Sequence, residues 1–454
     1  MKAIIVGAGE VGFHIASRFA RENKDVVVID KDPEAIRRVS DGIDVQVIHG
    51  SGASPVLLED AGIKEADILL AVTNSDEVNL VACMAADIIS PATRKLARIR
   101  DADFDGYHDT LRNEAPHIDT VINPEIEVVK SIERLMSVPG AVDVGEFANG
   151  HFKFIGTRLE RGATLSGVRL IDMVDRTEKE LPLIAAIIRD DELIIPRGKD
   201  QLQPNDLIYF ISKDDNYVDI MALFDKQVEP IRRVLAVGGG RIGLRFAHRM
   251  EAIDIHVKII EKDPDRCLIL AEELNKSVVL QGDGSDRSLL QEGNIQEMDA
   301  VLTLTDDEAT NILTSLLAKH MGAPKTITRI SKFSYFSLMA TIGLEQVVSP
   351  RRSAINTILQ YVRKGKVLSA LSIMNETAEV LEAEALETSD IVGKPIKNIR
   401  FPKGALIIGI MHGEDAIIPS GESVIHPGDR VIIIADRNAV PKVERILAVK
   451  LEFF

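Results

Sequence analysis

Short aliphatic runs at positions 3–6, 26–29, 45–48, 68–72 and 96–99 punctuate the first part of the chain. Stretches with apolar positions at helical spacing lie between them, at 13–22, 55–61 and 78–89. Uninterrupted apolar strands alternating with amphipathic helices predict a parallel sheet whose crossovers are helical. A different texture occupies roughly 145–225, with short strands and tight turns, and it returns at 372–450.

The pattern repeats. Gly7, Gly9 and Gly12 recur 231 residues on as Gly238, Gly240 and Gly243, and Asp30-Lys31-Asp32-Pro33 recurs as Glu261-Lys262-Asp263-Pro264. After a one-residue insertion Gly50-Ser51-Gly52 faces Gly282-Asp283-Gly284, Thr73 and Asn74 face Thr305 and Asp306, and Asn79 meets Asn311. In the intervening regions Pro204-Asn205-Asp206 matches Pro427-Gly428-Asp429. Proline presets the first turn dihedral and Asn or Gly takes the positive φ, so both are hairpin turns leading into strands at 208–211 and 431–434. The order is A–B–A′–B′: two Rossmann-like doubly wound α/β domains at 1–127 and 231–352, alternating with two small α+β domains at 140–228 and 370–454.

A Gly-x-Gly-x-x-Gly turn directly after a buried strand brings bare backbone close to a diphosphate and aims a helix N-terminus at it. The candidates for this role are Gly7, Ala8, Gly9, Glu10, Val11 and Gly12, and Gly238, Gly239, Gly240, Arg241, Ile242 and Gly243. Asp30 and Glu261, ending the second strand of each copy, stand where a carboxylate accepts from both hydroxyls of an adenosine ribose. Ser51-Gly52 and Asp283-Gly284 end the third strand, beside the expected adenine. Thr73, Asn74 and Thr305 end the fourth, toward the phosphates or second ribose, with a plain strand-to-helix cap as the alternative for each. Arg98 and Arg329 end the fifth, where a guanidinium reaches a phosphate or makes a surface ion pair.

Composition narrows the partners. A length of 454 residues calls for several domains, and a net charge of -16 disfavours nucleic acid and anionic lipid, Arg351-Arg352 being a local exception. The longest apolar runs, such as 405–411 and 430–435, are strand-sized, and no cleavable leader follows Met1-Lys2, so a cytoplasmic location is expected. Cys83 and Cys267 read as free thiols, and the 10 histidines are scattered without metal-ligand spacing. No Gly-x-Ser-x-Gly, Walker lysine loop or His-Glu-x-x-His occurs, so no catalytic residue is assigned. The reading is of a binding protein; a soluble NAD-dependent oxidoreductase with a duplicated cofactor domain is the enzymatic alternative.

The four-domain order resembles the tandem RCK family (KTN plus TrkA-C), found as peripheral regulatory subunits of bacterial Trk potassium uptake systems. The resemblance rests on residues 7–12, Asp30-Lys31-Asp32, residues 71–77 with Asn79, Arg98-Ile99-Arg100, Pro204-Asn205-Asp206 and their second copies, and it covers nearly the whole chain. It implies binding of NAD(H), with ATP or ADP as further ligands. It also implies self-association into a ring, a homotetramer, under a membrane-embedded Trk potassium-translocating subunit on the inner face of the membrane. A regulator of another cation channel or antiporter is the neighbouring alternative. Two departures, Ser51 where copy two has Asp283 and Asn74 where it has Asp306, lead us to expect sites that differ in affinity or preferred nucleotide. Helices at 124–136 and 353–363 are expected to extend the apolar face that pairs nucleotide domains and bridges to the small domains, with completion of each domain's own core as the alternative.

Overall fold

The computed structural model describes residues 1–176, 181–213, 216–362, 367–373 and 377–447. The chain forms two compact units, Met1–Val128 with Ser349–Val362, and Val129–Val348 with Arg363–Phe454.

In the first unit the elements run β1 (Lys2–Val6), α1 (Glu10–Arg21), β2 (Asp25–Asp30), α2 (Pro33–Gly42), β3 (Gln46–His49), α3 (Pro55–Asp60), β4 (Ile68–Ala71), α4 (Asp76–Ile89), β5 (Arg94–Arg98), α5 (His108–Asn113) and β6 (Thr120–Ile122). They build one parallel sheet in the order β3-β2-β1-β4-β5-β6. Ile4, Ile5, Val28, Leu69 and Leu70 are fully buried because helices cover both faces, which is why these strands read as unbroken apolar runs. The strand order reverses between β1 and β4, and the carboxyl ends there frame the crevice where doubly wound sheets take ligands. Helix α2, unread in the sequence, buries only Ala35 and Val39; it starts because Asp32 accepts from the Glu34 N–H and Pro33 supplies the first helical φ.

Helix α6 (Pro124–Ser137) leaves the first unit at Val128. In the second unit come β7 (Asp143–Phe147), β8 (Phe152–Arg158), β9 (Leu183–Arg189), β10 (Glu192–Ile194), β11 (Leu207–Lys213) and α7 (Tyr217–Leu223). The repeat of the parallel sheet follows: β12 (Arg233–Val237), α8 (Arg241–Ala252), β13 (His256–Glu261), α9 (Pro264–Glu273), β14 (Val278–Gln281), α10 (Arg287–Glu292), β15 (Ala300–Thr303), α11 (Glu308–His320), β16 (Thr326–Arg329), α12 (Phe336–Thr341) and β17 (Gln346–Val348). Its order, β14-β13-β12-β15-β16-β17, is that of the first. After α13 (Pro350–Val362) the chain ends in β18 (Val367–Ile373), β19 (Ala378–Glu384), β20 (Ala405–His412), β21 (Asp415–Ile417), β22 (Arg430–Asp436) and α14 (Val440–Leu447).

The small domains are antiparallel sheets of matching topology, β10-β9-β11-β8-β7 and β18-β19-β22-β20-β21. Asn205 (φ 70°) and Gly428 (φ 86°) take the left-handed positions expected at their turns. The two sheets share one core, in which Phe154, Tyr209 and Ile211 meet Val380, Ile408 and Ile432. Parts of the expected small-domain ranges (177–180, 214–215, 374–376, 448–454) lie outside the described residues.

The two helices expected to pair nucleotide domains are exchanged between copies. Helix α13 follows the second sheet in sequence yet packs on α1 of the first, where Arg351 pairs with Glu10 at 2.7 Å. The distal half of α6 belongs to the second unit, where Glu133 pairs with Arg249 of α8 at 2.6 Å. The last residue of the expected second helix, Arg363, lies outside the described residues. Among the described residues no helix is long and apolar enough to cross a membrane.

Candidate functional site

The glycines of each turn divide into those the fold requires and one it does not. Gly7 and Gly238 have φ of 113° and 110°, and a Cβ there would lie 2.9 Å from the Thr73 nitrogen and 2.8 Å from that of Thr305. On Gly12 or Gly243 a Cβ would run into the carbonyl oxygen of Gly7 or Gly238. Gly9 and Gly240 differ: φ is -62° and -61°, open to any residue, and a Cβ would meet nothing within 4 Å. They stand at the N-caps of α1 and α8, and no side chain caps either helix. The next three helices of each copy are capped, by Asp32, Ser54 and Ser75 and by Asp263, Asp286 and Asp307. Of the first four helices of each copy, the first alone starts uncapped, at the sheet's reversal point and with open space in front, a place for an anion.

The acids behind the turns brace them. Asp30 Oδ2 accepts from the Ala8 N–H at 2.5 Å and Oδ1 from the Asp32 N–H at 2.8 Å; Glu261 Oε2 accepts from Gly239 at 2.6 Å and Oε1 from Asp263 at 2.9 Å. Each carboxylate oxygen keeps a second lone pair that a ribose hydroxyl can use. The longer glutamate is matched by a smaller neighbour: a Cβ on Gly239 would overlap Leu270 and lie 3.1 Å from Glu261 Oε2. Ala8 with Asp30 and Val39 thus becomes Gly239 with Glu261 and Leu270. Two arginines missed in the sequence, Arg38 and Arg266, donate to the Ala8 and Gly239 carbonyls at 2.7 and 2.8 Å. They hold unequal places on α2 and α9, so no repeat register reveals them.

The remaining candidates line the strand ends. Gly52 and Gly284 leave no room for a Cβ against Val6 and Val237. Ser51 is exposed. Asp283 accepts from the Ser285 hydroxyl and N–H and faces Lys262 at 3.0 Å; these contacts hold its carboxyl down at about 2. The Thr73 hydroxyl donates to Asn79 Oδ1 at 2.8 Å, and the Thr305 hydroxyl to Asn311 Oδ1 at 2.8 Å. Buried Asn79 also donates to the carbonyls of Thr73 and Arg98, as Asn311 does to those of Thr305 and Arg329, tying β4 to β5 and β15 to β16. The threonines therefore fix the strand ends through a buried asparagine.

The copies part at the arginines. Arg329 donates to the carbonyls of Leu304 and Thr305 at 3.0 and 3.1 Å and pairs with Asp306 at 2.8 Å. In copy one Asn74 is exposed and supplies no such charge. The Arg98 guanidinium makes no hydrogen bond or ion pair among the described residues, and its Nε is buried without a partner. Burial, reinforced by the neighbouring Arg100 and Arg351, pushes its guanidinium down to about 10. A desolvated cation at the carboxyl end of the same sheet suits an anionic ligand. Glu10, pairing with Arg351, and Arg241 open their helices, while Val11 and Ile242 are buried anchors. Both cysteines are free; burial pushes the Cys83 thiol up to about 12.

A duplicated dinucleotide-type sheet alternating with a duplicated antiparallel domain is the tandem RCK architecture. The TrkA-N domain model matches residues 3–124 and 234–350, and the TrkA-C domain model matches 380–448. The chain is 37% identical over 452 residues to Trk system potassium uptake protein TrkA homolog 1 of Methanosarcina mazei, covering 98% of this chain and 99% of that one. It is 35% identical over 458 residues to TrkA of Halomonas elongata, covering 100% of both. The chain belongs to the TrkA family. Among solved structures, the GsuK RCK domain matches with a TM-score of 0.59 at 16% identity, over 98% of this chain and 94% of that one. The GsuK channel bound to NAD matches with the same TM-score over 98% and 78%. At that identity the likeness speaks for the fold.

Proposed function

We propose that the chain is a nucleotide-sensing subunit that binds NAD(H) at both glycine turns, with ATP and ADP as competitors, and gates a membrane potassium-translocating subunit of the Trk type. The observation that carries the reading is the pair Gly9 and Gly240, glycines that the backbone does not need, each in front of an uncapped helix. A diphosphate fills that space and accepts from the first-turn N–H groups, while Asp30 or Glu261 takes the ribose hydroxyls. In copy one Arg98, whose guanidinium makes no hydrogen bond among the described residues, is left to meet the ligand's charge.

Such a protein acts by preferring one nucleotide in one conformation. Moving a population from 1:99 to 99:1 takes about 5.5 kcal/mol, and a tetramer with two sites per chain divides this into about 0.7 kcal/mol per site. That is within the net worth of one rearranged hydrogen bond, about 0.5–1.5 kcal/mol. The chain would work in the cytoplasm, as a ring held at the membrane by its partner.

Calorimetric titration with NADH, NAD, ATP and ADP tests the sites, on the wild type and on Gly9→Val and Gly240→Val. Binding without turnover, lost one half at a time, supports the reading; no binding of any of the four overturns it. Co-purification with a Trk-type membrane protein, and nucleotide-dependent potassium flux in proteoliposomes holding both, tests the partner. Capture of a different channel or antiporter would replace it.

A further inference from the structure

Two of the 10 histidines, His412 and His426, come together in the second small domain. In the antiparallel pairing of β20 with β22, Met411 faces Arg430, which sets His412 at the strand end beside Asp429. The His426-Pro427-Gly428 turn folds His426 back onto the same carboxylate. His412 Nδ1 lies 2.7 Å from Asp429 Oδ1, His426 Nδ1 lies 3.7 Å from Oδ2, and one ligand atom from each of the three residues lies within 4.8 Å of the others. Asp429 is buried and both imidazoles are exposed.

The first small domain shows what the fold itself asks of this corner. There Asp206 occupies the same turn, buried, with Oδ2 accepting from the Gln203 N–H at 2.7 Å. A single guanidinium neutralises it, Arg189 donating to its two oxygens at 2.8 and 2.7 Å. In the second domain the backbone contact is retained, His426 N–H to Asp429 Oδ2 at 2.8 Å, but Arg189 is replaced by His412 and Gln203 by His426. One imidazole would suffice for the carboxylate. The second, where copy one has a neutral amide, is not needed for the turn.

We propose that His412, His426 and Asp429 form a binding site for one divalent transition-metal ion of the zinc class, through one nitrogen of each imidazole and Asp429 Oδ1, with solvent completing the shell. Two imidazoles and a carboxylate suit Zn2+, Co2+ or Ni2+, and they select against Mg2+ and Ca2+, which take oxygen ligands. Metal bonds of about 2.0–2.2 Å place tetrahedral ligand atoms roughly 3.3 Å apart. Both rings are exposed and so free to turn toward that spacing from the 4.8 Å within which the ligand atoms already lie. The carboxylate is already fixed: its Oδ2 is held by the His426 N–H, and the turn is pinned by Gly428 N–H to Ala385 O at 2.8 Å and Ala385 N–H to Asp429 O at 2.7 Å. An outer contact that orients a ligand oxygen is what metal sites require.

The test uses the full chain, stripped with a chelator and titrated with Zn2+ against a chromophoric competitor, then with Co2+ followed by its visible spectrum. The double variant His412→Arg with His426→Gln installs the first domain's residues, so the apo protein should melt within about 2 °C of the wild type. We expect one Zn2+ per chain to bind the wild type, a tetrahedral Co2+ spectrum, a rise in melting temperature with Zn2+, and affinity lowered on the order of 100-fold or more in the double variant. Should the double variant not fold, His426→Gln alone, which leaves the His412–Asp429 bond in place, should show the same loss. Absence of a bound equivalent in the wild type overturns the proposal, as does unchanged stoichiometry and affinity in the variants.

Discussion

Substituting Gly9 and Gly12 by alanine separates ligand binding from folding within three residues. At Gly9 the backbone (φ -62°, ψ -176°) suits alanine and the new methyl group touches nothing in the protein. Alanine is a poorer N-cap than glycine, by about 0.5–1 kcal/mol, but it restricts the unfolded chain by a similar 0.4–1 kcal/mol, so the net stability change should be about 0.5 kcal/mol or less. The methyl group does stand where a diphosphate would approach the N–H groups of α1. Losing two hydrogen bonds to a charged ligand, at about 1.5–3 kcal/mol each, amounts to roughly 3–6 kcal/mol, or on the order of 10²–10⁴ in Kd. Gly12→Ala drives its Cβ into the Gly7 carbonyl and should cost about 1–3 kcal/mol or more of stability before any ligand is considered. Urea unfolding of the apo proteins and calorimetry with NADH measure the two effects. If Gly9→Ala binds within threefold of the wild type, or destabilises the apo protein as Gly12→Ala does, the space before α1 is not the phosphate site.

Asn79→Ala, which strands the Thr73 N–H and the Arg98 carbonyl, should lower stability by about 2–4 kcal/mol in urea unfolding; a change under 1 kcal/mol would show that the β4–β5 tie is dispensable. Arg98→Ala should weaken nucleotide binding to copy one more than Arg329→Ala weakens copy two, since Arg329 already has Asp306; equal losses by calorimetry would refute the asymmetry. Glu251 is partly desolvated, which raises its pKa, yet the Ser277 hydroxyl and the N–H groups of residues 275–277 hold its carboxyl down from 4.5 to about 2. A depressed carboxyl contributes stability that is complete above the unfolded pKa and lost as pH falls through the folded one. The advantage of wild type over Glu251→Gln in urea midpoint should therefore shrink between about pH 4.5 and 2, and a pH-independent difference would count against it.

The glycine turns and their acids were legible because the whole signal is local: a strand, three glycines and a carboxylate in fixed register, written twice. What escaped was set by tertiary structure. Helix α2 has too thin an apolar stripe to show a period, with Ala35 and Val39 alone buried, and β6 is too short to stand out. Arg38 and Arg266 reach the same carbonyl from different helix positions, so comparison of the copies hides them. The histidine pair is joined by strand register across separate turns, which spacing rules for metal ligands do not describe. Thr73 and Thr305 are expected toward the phosphates or second ribose, or as plain strand-to-helix caps; their partners Asn79 and Asn311, six residues on in each copy, look like ordinary helix residues until burial shows where their amides go.

The exchanged helices bear on how such a chain could have arisen. The cover that α1 receives comes from α13, a segment encoded after the second sheet. A chain holding a single copy would have to borrow that cover from another molecule, so its folding and its dimerisation would be one event, governed by how much protein is present. Fusing two copies turns the loan into a transaction within one polypeptide, at the effective concentration set by the tether. It also frees the halves to diverge, because a change in one is no longer imposed on the other. Asp306 beside Arg329, Glu261 with Gly239, and two histidines where the first small domain keeps Arg189 and Gln203 are what that freedom looks like.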